Sequence, residues 1–147
     1  MLAKIAIGAR LLLGIVFLGF GVNGVLHLVP LPQGDGREAL LIGGLAASGY
    51  FFPLLFWTYL LTGAALLTGR FVPLALTVLA PIIVNVVCIH LFVSTTGLAF
   101  ALLVAALEVY LAWVYRPAFR TLLAVQSETA VRRARDSGIR EFSRSGS

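Results

Sequence analysis

The sequence predicts an all-α fold: a four-transmembrane-helix bundle, up-down-up-down, with a short interfacial helix between the first and second spans. Three observations carry that expectation. The chain of 147 residues is 60% hydrophobic and only 12% charged, with a mean hydropathy of +1.01. A soluble domain has about a quarter charged residues, so this much apolar surface calls for lipid as the solvent. The apolar residues fall into four runs. Each is near the length needed to cross a ~30 Å hydrocarbon core at a rise of ~1.5 Å per residue. The basic residues, finally, gather at alternate ends of those runs. The spans are expected at about 8–29, 51–68, 72–92 and 98–115 within a membrane domain of residues 1–120. Residues 121–147 are expected to form a basic cytoplasmic tail, partly disordered.

The formal charge of +5 does not point to nucleic acid, because the basic residues sit at run ends and in the tail. The single cysteine, Cys88, excludes an internal disulfide and a Cys-x-x-Cys pair. Within an apolar run it reads as a small buried hydrophobe.

The first run follows the basic residues Lys4 and Arg10. It is longer than a signal-peptide core and lacks a small-x-small cleavage site at its end, so it reads as an uncleaved span. Gly14 and Gly21 are seven apart and share a helical stripe, with Gly24 beside them. Small residues let helix backbones approach closely in lipid. That face allows a homo-oligomer or packing within one bundle. Asn23 and His27 close the run at i, i+4 and share a face. Asn23 is expected to make an interhelical hydrogen bond and His27 to sit at the wet interface.

Pro30, Pro32, Gly34 and Gly36 then break the helix. Asp35 and Glu38 resemble a capped helix start, and Ala39 to Ala47 reads as a short helix at the membrane surface or in the bundle mouth. Ser48-Gly49-Tyr50 ends it. The second span holds Tyr59 and Trp57, deep enough to need partners for O–H and N–H. Gly69-Arg70 is a very short turn, which places its neighbours antiparallel. The third span has no charge but carries Pro81, Asn85, Cys88 and His90. Pro81 removes a backbone donor and is expected to kink the helix. Ser94 to Gly97 is a polar turn. The fourth span contains Glu108 and exits at Trp113 and Tyr115.

With both termini cytoplasmic, Lys4, Arg10, Arg70, Arg116, Arg120 and the tail arginines all lie inside, and only Arg37 lies outside. That is the positive-inside pattern of a multi-pass protein in a bacterial-type cytoplasmic membrane. The tail arginines Arg132, Arg133 and Arg135 suit either anionic lipid or water. The same topology sorts the polar residues by depth. Asn23, His27, Asn85 and His90 all fall toward the outer half. The simplest reading is an outward-opening polar pocket between the first and third spans that binds a ligand through these four residues. Two histidines at similar depth invite a bis-histidine haem, but both lie near the surface. No metal site is read. Glu108 lies near the bilayer centre. A charge there costs ~2.5–3.5 kcal/mol on insertion scales for Asp, and Glu should be similar. Glu108 is read either as a proton-handling site or as a neutral acid bonded to Thr58, Thr62, Thr77 or a backbone carbonyl.

Ala9-Arg10-Leu11-Leu12-Leu13-Gly14, Phe20-Gly21-Val22-Asn23-Gly24, Ser48-Gly49-Tyr50, Gly69-Arg70-Phe71-Val72-Pro73, Ala80-Pro81-Ile82-Ile83-Val84-Asn85 and His90-Leu91-Phe92 together resemble the DoxX-like family of small four-helix membrane proteins. The resemblance covers roughly residues 5 to 120, and the third-span motif is its most specific part. It implies a four-helix bundle and a link to respiratory quinones, since relatives include a quinol-oxidase-associated protein and a thiosulfate:quinone oxidoreductase subunit. Its motif positions fall here on Arg10, Asn23, Pro81, Asn85 and His90. Many members carry an acid shortly before the glycine of the second span. This chain reads Tyr59-Leu60-Leu61-Thr62-Gly63 there, leaving Glu108 as the only substitute. The lone cysteine is inconsistent with dithiol chemistry.

Three functions fit. The first is a quinone-linked redox component, holding the quinone near Asn23, Asn85 and His90 and taking electrons from a partner redox protein, since the chain carries no cofactor motif of its own. The second is a non-catalytic membrane subunit that recruits a partner enzyme through its tail. The third is a small proton-coupled carrier using Glu108. The sequence leaves open whether the chain catalyses a reaction at all.

Overall fold

The computed structural model describes residues 2–29 and 36–119. Every regular element among them is a helix: α1 (Leu2–Leu26), α2 (Arg37–Ala47), α3 (Phe51–Thr68), α4 (Val72–Phe92) and α5 (Leu98–Val114). Three of these, α1 from Lys4 on, α3 and α4, are long and apolar enough to cross a membrane, and α5 is a shorter apolar helix of 17 residues. They are compatible with a lipid bilayer and with a multi-pass membrane protein.

The four long helices bury one stripe each. On α1 it is Ala6, Ala9, Leu13 and Phe17; on α3, Tyr59, Thr62, Gly63 and Leu66. On α4 it is Val72, Ala75, Leu76, Leu79 and Ile83, and on α5, Ala101, Val104, Glu108 and Leu111. The spacing is that of a helix face turned to a common core. The opposite faces are no more polar: Ile15, Leu54, Leu61, Val84 and Val109 are all more than 60% exposed. Helices that are apolar all round have no face for water, which is compatible with a bundle surrounded by lipid.

Packing runs in a ring. α1 lies chiefly on α3 and also on α5; α4 lies on α5 and on α3. The glycine face of α1 is spent inside the bundle. Gly14 stands against Leu67 and Gly63, Gly21 against Leu60 and Phe56, and Gly24 against the Phe56 ring. Residue numbers rise on one helix as they fall on the other, so α1 and α3 are antiparallel. At Gly63 the two backbones nearly touch: an added Cβ would stand 2.6 Å from the Leu18 amide nitrogen and 3.0 Å from the Gly14 carbonyl oxygen. The alternative use of this face, as a contact between copies, is therefore not needed to explain its glycines.

The helix ends follow local chemistry. α1 begins earlier and stops sooner than the expected 8–29. His27 adopts a left-handed φ of 54° and breaks the repeat, and the cause is Asn23. Its side-chain NH2 donates to the Val29 carbonyl at 3.0 Å, and its carbonyl oxygen accepts from the Val29 amide at 2.7 Å. One amide thus folds the chain back over the helix end. α2 carries no buried residue and rests on α3. The expected cap, Asp35, lies outside the described residues. Gly36 occupies the cap position with φ 58° and no side-chain bond. α3 ends at Gly69, whose left-handed φ of 71° lets its N–H reach back to Leu66. α4 starts with Pro73 in its first turn, where no donor is wasted, and runs through Pro81 to Phe92. The basic tail expected at 121–147 lies outside the described residues. A second unit begins at Tyr115, and its first turn is closed by the Ala118 N–H on the Tyr115 carbonyl at 3.0 Å.

Candidate functional site

Between α2, α3 and α4 lies a groove of about 420 Å³. Ile42 and Leu45 of α2 form one edge, Phe52, Leu55, Thr58 and Tyr59 of α3 the floor, and Pro81, Asn85 and Ile89 of α4 the far wall. A shallower hollow of about 340 Å³ continues the same α3–α4 seam toward Phe71, with Thr58 shared by both. The groove is almost wholly apolar, and Phe51 and Phe52 line its α3 edge with their rings in edge contact, centroids 5.5 Å apart. Tyr59 packs its ring on Phe17 of α1, with centroids 5.1 Å apart, so the floor is anchored to the core.

Asn85 is the polar group of the α4 wall. It is exposed, and its amide makes no hydrogen bond among the described residues. Thr58 differs. Its hydroxyl donates to the Leu54 carbonyl at 2.8 Å, so it keeps acceptor capacity but no free donor.

The pocket expected between the first and third spans finds no support in the main helix contacts. Those spans are α1 and α4, and the main contacts of each go to α3 and α5. Of the four residues expected to line one pocket, only Asn85 lies on the groove. Asn23 is committed to Val29, and this replaces the expected interhelical bond. His27 is exposed at the end of α1. His90 is half-buried against the α4–α5 turn, where Gly97 leaves room for its ring; its Nδ1 is sealed without a partner. The two histidines stand on helices that do not share a seam, so the arrangement gives no bis-histidine cradle. No cluster of three or more metal-ligating side chains occurs among the described residues.

Glu108 is buried, as expected for an acid in an apolar helix, but the threonines do not serve it. Thr62 donates to Thr58 at 2.7 Å and Thr77 to Pro73 at 2.8 Å, each to its own helix one turn back. The Glu108 Oε2 has no hydrogen-bond partner. Glu108 does not line the groove. Two further expectations need correction. Cys88 is exposed rather than buried, because the inward stripe of α4 passes through Leu79 and Ile83. Trp57 is 57% exposed and faces outward from α3, so it does not need an internal partner.

The part played by α2 was not visible in the sequence, nor was Tyr59 as the floor of a groove. Both depend on which helices pack side by side. No family model, curated protein or solved structure matches the chain.

The Asn23 geometry predicts a purely structural phenotype. Asn23→Leu leaves the Val29 amide and carbonyl without their partner. The expected loss is about 1–2 kcal/mol of stability, read as a lower midpoint of thermal unfolding in detergent. Helix content at low temperature should not change, and an unchanged unfolding midpoint would contradict the assignment.

Proposed function

We propose that the chain is a four-span membrane protein whose α2–α3–α4 groove binds a quinone, in keeping with the DoxX-like resemblance. In this reading α1, α3, α4 and α5 cross a bacterial-type cytoplasmic membrane in alternating directions. Both ends are cytoplasmic, and α2 lies at the outer interface. The basic residues support that orientation.

The observation that carries the ligand is Asn85. An amide facing hydrocarbon without a partner costs several kcal/mol, and a bound carbonyl compound would accept its N–H. The groove volume falls within the range of small-molecule sites, ~300–1,000 Å³. Its phenylalanines suit a flat ring, and its opening to the lipid suits an isoprenoid tail. The protein would hold and orient the quinone, and electrons would come from a partner redox protein.

The test is extraction of bound lipids from protein purified in mild detergent. Wild type is expected to carry quinone near one per chain. Asn85→Leu is expected to retain at least ~threefold to tenfold less, the loss of one hydrogen bond and the burial of its partner, with helix content unchanged. Equal quinone in both proteins, or none in wild type, would reject the reading. A second reading, a proton-coupled carrier, is favoured by the unpartnered Glu108.

A further inference from the structure

At the far end of the bundle from the groove, the antiparallel pair α1 and α3 brings Arg10 to the last turn of α3. Its guanidinium lies on Gly69. A Cβ added at Gly69 would stand 2.6 Å from Nη1, 3.1 Å from Cζ and 3.2 Å from Nη2 of Arg10. The missing side chain at position 69 is therefore the seat of the guanidinium. Arg10 is half-buried, its Nε is sealed with no hydrogen-bond partner, and no ion pair to it forms among the described residues. The only described carboxylates are Glu38 and Glu108. Neither answers it. Arg70, the next residue after the seat, is exposed.

A guanidinium keeps its charge and presents five donors in a planar fork. The C-terminus of α3 offers it a favourable partial charge, which explains why the cation is tolerated there. It does not explain donors left unused. The acceptor that matches the fork is a carboxylate or a phosphate taking two parallel N–H bonds, and no described carboxylate reaches it. At the end of a membrane helix the chemistry present at that depth is the lipid phosphate layer.

We infer that Arg10, seated on Gly69 and flanked by Arg70, is a binding site for a phosphate group, supplied by the headgroup of an anionic phospholipid. This site is separate from the groove and rests only on the bundle standing in a bilayer. Its occupancy would tie α1 to the α3–α4 turn and stabilise the fold.

The experiment is thermal unfolding of the full chain in detergent, titrated with dioleoyl phosphatidylglycerol, dioleoyl phosphatidylcholine or inorganic phosphate. The wild type should be stabilised by phosphatidylglycerol at a concentration ~tenfold or more below that needed by Arg10→Gln, as expected for a charge-assisted pair. Lys4→Gln, which removes an exposed charge elsewhere on α1, should behave as wild type. If inorganic phosphate reproduces the effect and needs Arg10, the site stands and its ligand is a free anion. If phosphatidylcholine works as well as phosphatidylglycerol, or if Arg10→Gln and Lys4→Gln respond alike, the site is overturned. Should Arg10→Gln fail to fold, a photoreactive phosphatidylglycerol on wild type decides. Adducts at residues 69–71 support the site; adducts confined to the Gly97 turn reject it.

Discussion

Replacing Gly63 with alanine is expected to loosen α1 from α3 and to destabilise the bundle by about 1–3 kcal/mol. The added methyl would meet the Leu18 amide nitrogen at 2.6 Å, the Leu18 Cα at 3.0 Å and the Gly14 carbonyl oxygen at 3.0 Å. All three are backbone atoms, so no rotamer change relieves the clash and one helix must move. α1 has no larger contact than α3, and in lipid that contact rests on packing with little hydrophobic drive behind it. Gly21→Ala should act in the same direction, because its methyl would meet the Leu60 amide nitrogen at 2.8 Å. Gly19→Ala is the control. Nothing lies within 4 Å of that position, and alanine is the better helix former by up to ~1 kcal/mol. Unfolding midpoints in a detergent series for the three variants would check this. A Gly63→Ala protein as stable as Gly19→Ala would mean that the α1–α3 contact is looser than the structure has it.

Helix positions were legible because an apolar run bounded by glycine, proline and polar turns leaves few alternatives. The turns at Gly69 and at 94–97 separate helices whose lengths are set by those breakers. The end of α1 was not legible. Nothing in the order of residues announces that Asn23 will bond six residues ahead to Val29 rather than across to another helix. The groove was misplaced for a related reason. Depth follows from counting along a span, which is how Asn23, His27, Asn85 and His90 came to be grouped. Which spans are neighbours depends on the order of helices round the bundle, and here the first lies beside the second and the last. The Arg10 seat had a trace in the sequence. Arg10, Gly14 and Gly21 share one stripe, so once the glycine stripe is known to face α3, Arg10 must meet the end of that helix.

Exchanging Glu108 for leucine is expected to make the protein more stable, by about 1–3 kcal/mol, while removing any function that depends on the acid. The side chain is 5% exposed and its Oε2 has no partner. A buried polar atom left unmade costs that much, and leucine fills a similar volume with no polar atom. Gly21 and Gly63 already hold α1 on α3 without help from Glu108, and its neighbours on the α5 stripe, Val104 and Leu111, are apolar. The core therefore offers the acid nothing that leucine would lose. Glu108→Gln should show no such gain, because an amide leaves both a donor and an acceptor to satisfy. The two variants separate roles that sequence alone could not. If Glu108→Leu is stabilised, the acid is held at a cost, as expected of a group kept for proton handling. Proton uptake by the protein in sealed vesicles should then vanish in both variants. If Glu108→Leu is instead destabilised by a comparable amount, the acid is bonded to a partner and its place in α5 is structural.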